Sequence, residues 1–120
     1  AGGYAVLGRS ANTTDNDGVP VDYAYGNDFI LANAAVDEIV LVYDDPVSGS
    51  FEMDRVVYDD GTLWPIDSTG YSAQLDLGSY ALDNADVTYW CEAAVSDTYY
   101  SVSGNKMYGT PGAANDDSCL

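Results

Sequence analysis

The sequence predicts an all-β fold, arranged as an antiparallel sandwich or barrel. Strand-like segments recur roughly every 10–15 residues and are separated by turns rich in Gly, Pro, Asn and Asp. No stretch shows the apolar period of about 3.6 residues that marks a convincing helix. With 120 residues, the chain has the length of one domain.

The N-terminal part of the chain predicts two short strands around a polar loop. Residues 4–8 are mostly apolar at successive positions, which indicates a strand buried on both faces. Residues 9–18 are rich in Asn, Asp and Gly, which is typical of a loop. Residues 19–25 place Val and Tyr at alternate positions and predict an exposed strand with aromatic side chains.

Residues 38–44 form the strongest predicted strand. Apolar side chains point to both of its faces, so we expect this strand inside a sandwich rather than at its rim. Asp-Pro and Ser-Gly pairs within residues 44–50 predict a hairpin loop, after which residues 51–59 return as the partner strand. The returning strand is expected to carry Phe51, Met53 and Val57 on one face, and Val56 and Tyr58 on the other.

The C-terminal half predicts one regular strand and long loops. Residues 71–77 alternate as a half-buried strand should. Its expected inward residues are Tyr71, Ala73, Leu75 and Leu77, and its outward residues are Ser72, Gln74 and Asp76. Residues 104–120 should be loop, with a short pairing expected near residues 99–102.

The charge and the residue inventory exclude several functions. Twenty acidic residues against three basic ones give a net charge of −17, which disfavours nucleic acid and anionic lipid partners. No run of about 18 apolar residues predicts a membrane span. The chain has no histidine, so the ordinary Ser/His and Cys/His nucleophile systems are excluded. Two carboxylates could in principle hydrolyse a glycoside. Such a pair would arise by chance among so many acids, so we expect no enzyme activity.

Two cysteines, Cys91 and Cys119, are the full thiol inventory. Their even number, the extracellular character of the chain and the lack of histidine favour a disulfide over two free thiols. Closing a loop of this length would contribute roughly 3–4 kcal/mol and tie the C-terminus to the domain.

Acidic pairs in loops raise the alternative of a calcium site. Seventeen of the acids are Asp, which suits both hard cations and turns. Asp15-Asn16-Asp17-Gly18 resembles the middle of a calcium loop, although its flanks do not match the EF-hand pattern. The candidate Ca²⁺ ligands are Asp15, Asp17, Asp59 and Asp60; plain Asx turns and a solubilising surface are the alternatives.

Eleven tyrosines suggest a recognition surface. Tyr43, Tyr58 and Tyr71 lie in predicted strands and are expected to belong mostly to the core, like the two tryptophans. The candidate binding surface consists of Tyr23, Tyr25, Tyr99, Tyr100 and Tyr108, which could equally cap open sheet edges. Asn12-Thr13-Thr14 is a glycosylation sequon at Asn12.

Several short segments, taken in order, resemble the lamin-tail domain of secreted bacterial proteins. They are Gly-Gly-Tyr-Ala-Val-Leu-Gly (2–8), Phe-Ile-Leu-Ala-Asn (29–33), Asp-Glu-Ile-Val-Leu (37–41), Asp-Arg-Val-Val-Tyr-Asp (54–59), Trp-Pro (64–65), Tyr-Ser-Ala-Gln-Leu (71–75), Tyr-Trp-Cys-Glu-Ala (89–93) and Gly-Thr-Pro-Gly-Ala-Ala-Asn (109–115). The last segment is the most specific.

The resemblance implies an immunoglobulin-like antiparallel β-sandwich over residues 1–115, with residues 116–120 as a tail tied by a Cys91–Cys119 disulfide. It also implies an extracellular or cell-surface module without catalytic residues. Family members usually begin with an Asn-Glu strand and a Gly-Glu-Trp-Ile-Glu strand before the Gly-Tyr-Val-Leu segment, and neither precedes it here. Either the chain is the C-terminal piece of a longer domain, or the missing strands come from elsewhere. A sandwich that lacks strands leaves edges open, so we expect intermolecular contact.

The main functional hypothesis is therefore a non-enzymatic extracellular structural or interaction module. It would bind a protein partner or self-associate through β-edge pairing, in a surface structure or filament. The alternatives are a calcium-dependent module of an exported enzyme that binds a ligand such as carbohydrate, and a fragment of a larger hydrolase with its chemistry elsewhere.

Overall fold

The computed structural model describes residues 3–32, 36–59, 64, 70–80, 83–94, 104–116 and 119. Within these residues the protein is all-β, as predicted: short strands pair in three two-stranded sheets. The described helical structure is limited to α1 (Thr13–Asn16) and the 3₁₀ turns Leu77–Ser79 and Val87–Tyr89. The pairing expected near residues 99–102 lies outside the described residues.

The first sheet pairs β1 (Leu7–Gly8) with β2 (Tyr23–Ala24), and the two strands are parallel. The prediction of a buried strand at residues 4–8 is wrong, because Tyr4 and Leu7 are exposed. The close approach of the neighbouring segment requires a glycine in β1, since a Cβ at Gly8 would lie 2.7 Å from a methyl group of Val21.

The polar loop between β1 and β2 contains the one-turn helix α1. Asn12 caps its N-terminus, where its side-chain oxygen accepts a hydrogen bond of 3.0 Å from the backbone N–H of Thr14. Asp17 ends the helix in the left-handed conformation, with φ of 55°. Local capping by Asn and Asp thus produces a helical turn where composition predicted only loop.

The second sheet is a long antiparallel hairpin of β3 (Asp37–Asp45) and β4 (Gly49–Tyr58). Its strands and its turn agree with the sequence prediction. A β-bulge interrupts the register between Leu41 and Val42: Leu41 pairs with Asp54 and Val42 with Glu52, which leaves Met53 as the extra residue.

The bulge changes which side chains of β4 share a face. Phe51 lies opposite Tyr43 and Val56 lies opposite Ile39, so the register places all four on one face. The sequence prediction put Phe51 and Val56 on different faces and is wrong, because strict alternation along β4 does not allow for the inserted residue.

The third sheet pairs β5 (Ala73–Leu75) with β6 (Trp90–Glu92), and Tyr71 forms a separate bridge with Tyr108. Gln74, predicted to point outward, is buried. The correction follows from its hydrogen bonds: its amide nitrogen donates to the Asp116 carboxylate at 2.5 Å, so residues near the C-terminus cover this face of β5.

The core of the described residues is small. Trp64 and Ala93 are its buried hydrophobic residues, and the Trp64 and Trp90 rings pack with centroids 4.8 Å apart, as the core role predicted for the tryptophans requires. The expected interior position of the β3–β4 hairpin is wrong for the described structure, since most of its apolar side chains are exposed. That exposure defines the site described next.

Candidate functional site

The β3–β4 hairpin presents an exposed apolar face, which Asp54, the partner of Leu41, interrupts. We use the term apolar face for the side chains that the register places together on one side of the hairpin, which are Ile39, Leu41, Tyr43, Phe51 and Val56. Leu41 is 63% exposed, Tyr43 55%, Ile39 52% and Phe51 48%. Burial of apolar area is favourable by about 25 cal/mol per Å², so this face would gain from a covering partner.

Tyr43 corrects the sequence prediction most directly, because the strand pattern assigned it to the core. The register pairs Tyr43 with Phe51, which places two aromatic residues opposite each other near the turn. Aromatic side chains contribute large contact areas at low entropic cost, which favours them at recognition surfaces.

The outer edges of the hairpin are open within the described structure. Among the described residues, no backbone-to-backbone hydrogen bond joins β3 or β4 to another segment. Within this part of the chain, each strand therefore offers a row of outward N–H and C=O groups to an added strand. An isolated two-stranded hairpin is marginally stable in water, so a further strand would stabilise it as well as extend it.

The opposite face of the hairpin carries an ion-pair network. The Arg55 guanidinium binds Glu52 through two hydrogen bonds, one of them 2.9 Å from Nε to Oε1, and also pairs with Glu38 across the hairpin. Hydrogen bonding to Arg55 lowers the pKa of Glu52, and hydrogen bonds to Glu52 and Glu38 raise the pKa of Arg55. Arg55 is thereby engaged with two carboxylates of its own hairpin.

Asp37 joins the two strands at the open end of the hairpin. Its carboxylate accepts hydrogen bonds from the backbone N–H groups of Ala32 and Glu38, both at 2.8 Å, and from the Tyr58 hydroxyl at 3.1 Å. The bond from Ala32 contributes most to lowering the pKa of Asp37, followed by that from Glu38. Desolvation raises the pKa of Tyr58, and its hydrogen bond to Asp37 adds to this shift.

Asp45 holds the turn at the other end of the hairpin. Its carboxylate accepts from the backbone N–H groups of Val47 and Ser48 at 2.8 Å and 2.7 Å. These bonds, led by that of Ser48, lower the pKa of Asp45 and favour its charged form. A negative charge is therefore fixed beside the apolar face.

The candidate calcium ligands occupy separate loops. Asp15 lies in α1, where its carboxylate accepts a hydrogen bond of 3.1 Å from the Ser10 hydroxyl. Asp17 ends the same helix, and Asp59 follows β4 and accepts from the backbone N–H of Trp64 at 3.3 Å. Asp60 lies outside the described residues. Within the described ranges, no group of three or more acidic, His or Cys side chains forms a metal site.

The predicted tyrosine surface is only partly accessible. Tyr23 is exposed, whereas Tyr25 is half-buried and stacks on Phe29 with ring centroids 4.1 Å apart. Tyr108 is also half-buried, stacks on Tyr71 and lies 5.5 Å from the Lys106 ammonium. Tyr99 and Tyr100 lie outside the described residues.

The disulfide joins Cys91 of β6 to Cys119, with Cα atoms 5.4 Å apart. The pairing expected from the sequence is present. The nearby Asp116 side chain accepts a hydrogen bond from Ala94 N–H at 3.0 Å in addition to that from Gln74. Asn12, the residue of the predicted sequon, is exposed at the start of α1.

A cavity of about 500 Å³ lies between α1, β5 and residues 107–111. Val19, Met107 and Pro111 provide apolar walls. Three amide side chains of its lining are already hydrogen-bonded within the protein: Asn16 donates to the carbonyls of Ser10 and Val19, Gln74 to Asp116 and Asn115 to the carbonyl of Leu75.

No helix among the described residues is long and apolar enough to cross a membrane. Comparison with protein-family models found no match, and comparisons with curated proteins and with solved structures also found none.

Sequence reasoning identified the hairpin but not its role as an exposed surface. Alternation showed that both faces of β3 are apolar, and such a strand is ordinarily buried. The available signal was the high density of acids around it: Asp37, Glu38, Asp44 and Asp45 bracket the apolar run. No pattern in the sequence predicts the burial of Gln74, because its hydrogen-bond partner Asp116 is 42 residues away along the chain.

Proposed function

We propose that the protein is a non-enzymatic interaction module that binds a partner polypeptide through the β3–β4 hairpin. The supporting observation is the exposure of the apolar face on a hairpin whose outer edges are open within the described structure. Addition of a strand would satisfy outward backbone groups, and side-chain contacts would cover part of the apolar face.

The finer parts of the proposal rest on the sequence. The resemblance to the bacterial lamin-tail domain supports an immunoglobulin-like sandwich, and that family's modules occur outside the cell. The Cys91–Cys119 disulfide is compatible with an oxidising compartment. Surface assembly through β-edge pairing is the function that these features favour together.

The calcium-dependent carbohydrate module remains the alternative. None of the described contacts favours it, because Tyr25 and Tyr108 stack on neighbouring rings and Asp15 is hydrogen-bonded within its own loop. Thermal melting with and without millimolar Ca²⁺ tests this alternative directly, and a rise in Tm on addition of Ca²⁺ would support it.

Hydrogen–deuterium exchange of residues 37–58 tests the proposed function. The full chain would first be measured alone over a range of concentrations. It would then be measured with each of three nine-residue peptides, which have the length of β3 and alternate Val with Lys, with Thr or with Glu. We expect slower exchange of the hairpin amides in at least one of these conditions. If neither added peptide nor higher protein concentration slows the exchange, the proposal is wrong.

A pair of variants distinguishes binding at the apolar face from non-specific hydrophobic association. Leu41→Asn removes an exposed apolar side chain from the apolar face, whereas Val47→Asn removes one from the turn, where Val47 is 92% exposed. The expected result is that Leu41→Asn abolishes the protection and Val47→Asn retains it. Equal loss in both variants would contradict binding at the apolar face.

A further inference from the structure

We infer that the partner of the hairpin is a cationic extended segment of a different polypeptide rather than a second copy of this chain. The inference rests on the proposed function and specifies the chemistry of the occupant. It follows from where the acidic side chains lie relative to the apolar face, and from how the basic side chains of the chain are already used.

Carboxylates lie at both ends of the apolar face and also between its apolar residues. The register places Asp37 beside the open end, Asp45 beside the turn, and Asp54 directly opposite Leu41. An added strand would lie beside the hairpin, so one set of its side chains would extend the apolar face and the other set would lie on the opposite face. Alternating apolar and basic residues would suit both faces, because the opposite face carries three carboxylates and one guanidinium.

The hairpin has an excess of negative charge that its own residues do not neutralise. Residues 37–58 contain six carboxylates and one guanidinium. That guanidinium, Arg55, is engaged with Glu38 and Glu52 on the face opposite the apolar face. The carboxylates beside the apolar face therefore have no cation of the hairpin directed towards them.

The other two basic residues of the chain lie outside the hairpin. Arg9 donates to the side-chain oxygen of Asn27 at 2.9 Å. The Lys106 ammonium lies over the Tyr108 ring. A second copy of the chain would bring another net charge of −17 to the interface, with Arg9 and Lys106 as its basic side chains outside the hairpin.

The electrostatic cost of self-association decides between the two kinds of partner. Like charges across an interface repel and suppress association, and opposite charges steer and stabilise it. At a physiological Debye length of about 8 Å, charges at the rim of a single β-strand still interact. A cationic strand and a second copy could both pair with the hairpin, but the cationic strand would also neutralise its carboxylates.

Titration of the full chain with the three alternating peptides tests the inference, and isothermal calorimetry gives the affinities. At about 50 mM salt we expect the Val/Lys peptide to bind roughly tenfold or more tightly than the Val/Thr peptide, an effect equivalent to a few exposed ion pairs. The Val/Glu peptide should not bind. At about 500 mM salt the preference should fall to within roughly threefold, because the charges are screened.

A peptide that alternates Gly with Lys separates strand addition from simple charge attraction. It has the same cationic side chains but cannot cover the apolar face, and it should leave hairpin exchange unchanged. Protection by this peptide equal to that by Val/Lys would overturn the inference, since charge alone would then account for binding.

Variants that remove carboxylates test whether the peptide is attracted by the charges of the hairpin or by the overall charge of the chain. Asp44→Asn with Glu52→Gln removes two carboxylates from the face that the basic side chains of the peptide would meet, and should weaken Val/Lys binding at least fivefold. Asp28→Asn with Asp83→Asn changes the net charge by the same amount at two residues outside the hairpin. This control variant should weaken Val/Lys binding less than twofold. Equal weakening by both double variants would show that only the overall charge matters and would overturn the inference.

The outcomes distinguish the inference from the proposed function. One outcome is that the Val/Thr peptide or a higher protein concentration protects residues 37–58 without any preference for Val/Lys. That result would support the proposed interaction module and would contradict the inference of a cationic partner. Absence of protection in every condition overturns both. Circular dichroism of each variant establishes that a lost interaction is not a loss of folding.

Discussion

Gly70 illustrates how packing against a segment that is distant in sequence restricts the choice of amino acid at one position. Its φ is +92°, in the region that favours glycine, and an added Cβ would lie 2.8 Å from the backbone oxygen of Lys106. The same segment donates the Tyr108 N–H to the Gly70 carbonyl at 2.8 Å. Both observations show that residues 106–108 pack directly against the start of the β5 segment.

We therefore predict that Gly70→Ala lowers the free energy of unfolding by about 1–3 kcal/mol, the usual cost of a strained backbone position. Urea denaturation followed by tryptophan fluorescence measures the change. Gly3→Ala is the matched control, because nothing lies within 4 Å of a Cβ at Gly3, and it should change stability by less than about 0.5 kcal/mol. Equal effects of the two substitutions would contradict this packing.

The β3–β4 hairpin shows what periodicity predicts about an element and what it does not. The strands, the turn and the apolar character of residues 39–43 all follow from the sequence. The faces of β4 do not, because one extra residue at Met53 reverses the alternation beyond it. Nothing in the composition around Met53 signals the bulge.

The hydrogen bonds of Asp37 make the open end of this hairpin sensitive to pH. Because the pKa of Asp37 is lower in the folded state, its contribution to stability is present above the unfolded value of about 3.9. The contribution is lost as the pH falls through the lowered folded value. Protonation of other acids relieves repulsion at the same time, so the effect of Asp37 must be measured as a difference between variants.

We predict that Asp37→Asn is less stable than the wild type at about pH 6 and that the difference shrinks as the pH falls below the unfolded pKa of about 3.9 and through the lowered folded pKa of Asp37. Urea denaturation at several pH values measures it. Asp28→Asn removes an equal charge outside the hairpin and should show no such convergence. A wild-type advantage over Asp37→Asn that stays constant across this range would contradict the assigned hydrogen bonds.

For the whole molecule, the described core is small and the disulfide is a principal long-range constraint. It closes a segment of 28 residues, and the hydrogen bonds of Asp116 hold the same part of the chain against β5 and β6. We predict that Cys91→Ser with Cys119→Ser lowers the free energy of unfolding by about 3–4 kcal/mol in the chain-entropy model.

Urea denaturation of the double variant, compared with the oxidised wild type, measures this loss. Wild type treated with a reductant is the second comparison, since it retains both sulfur atoms and should lose a similar amount of stability. A loss below about 1 kcal/mol in both comparisons would show that the C-terminal segment is held by its hydrogen bonds alone.

The sequence alone determined the all-β class, the hairpin, the cysteine pair and the strong negative charge, because each depends on composition or on local alternation. The tertiary structure decided that β1 and β2 are parallel, that Gln74 is buried and that the apolar face is exposed. Each of these depends on which distant segment packs against a strand, or on whether any does, and local patterning contains no information about that choice. A strand with two apolar faces has the same sequence pattern whether its cover comes from its own chain or from a partner.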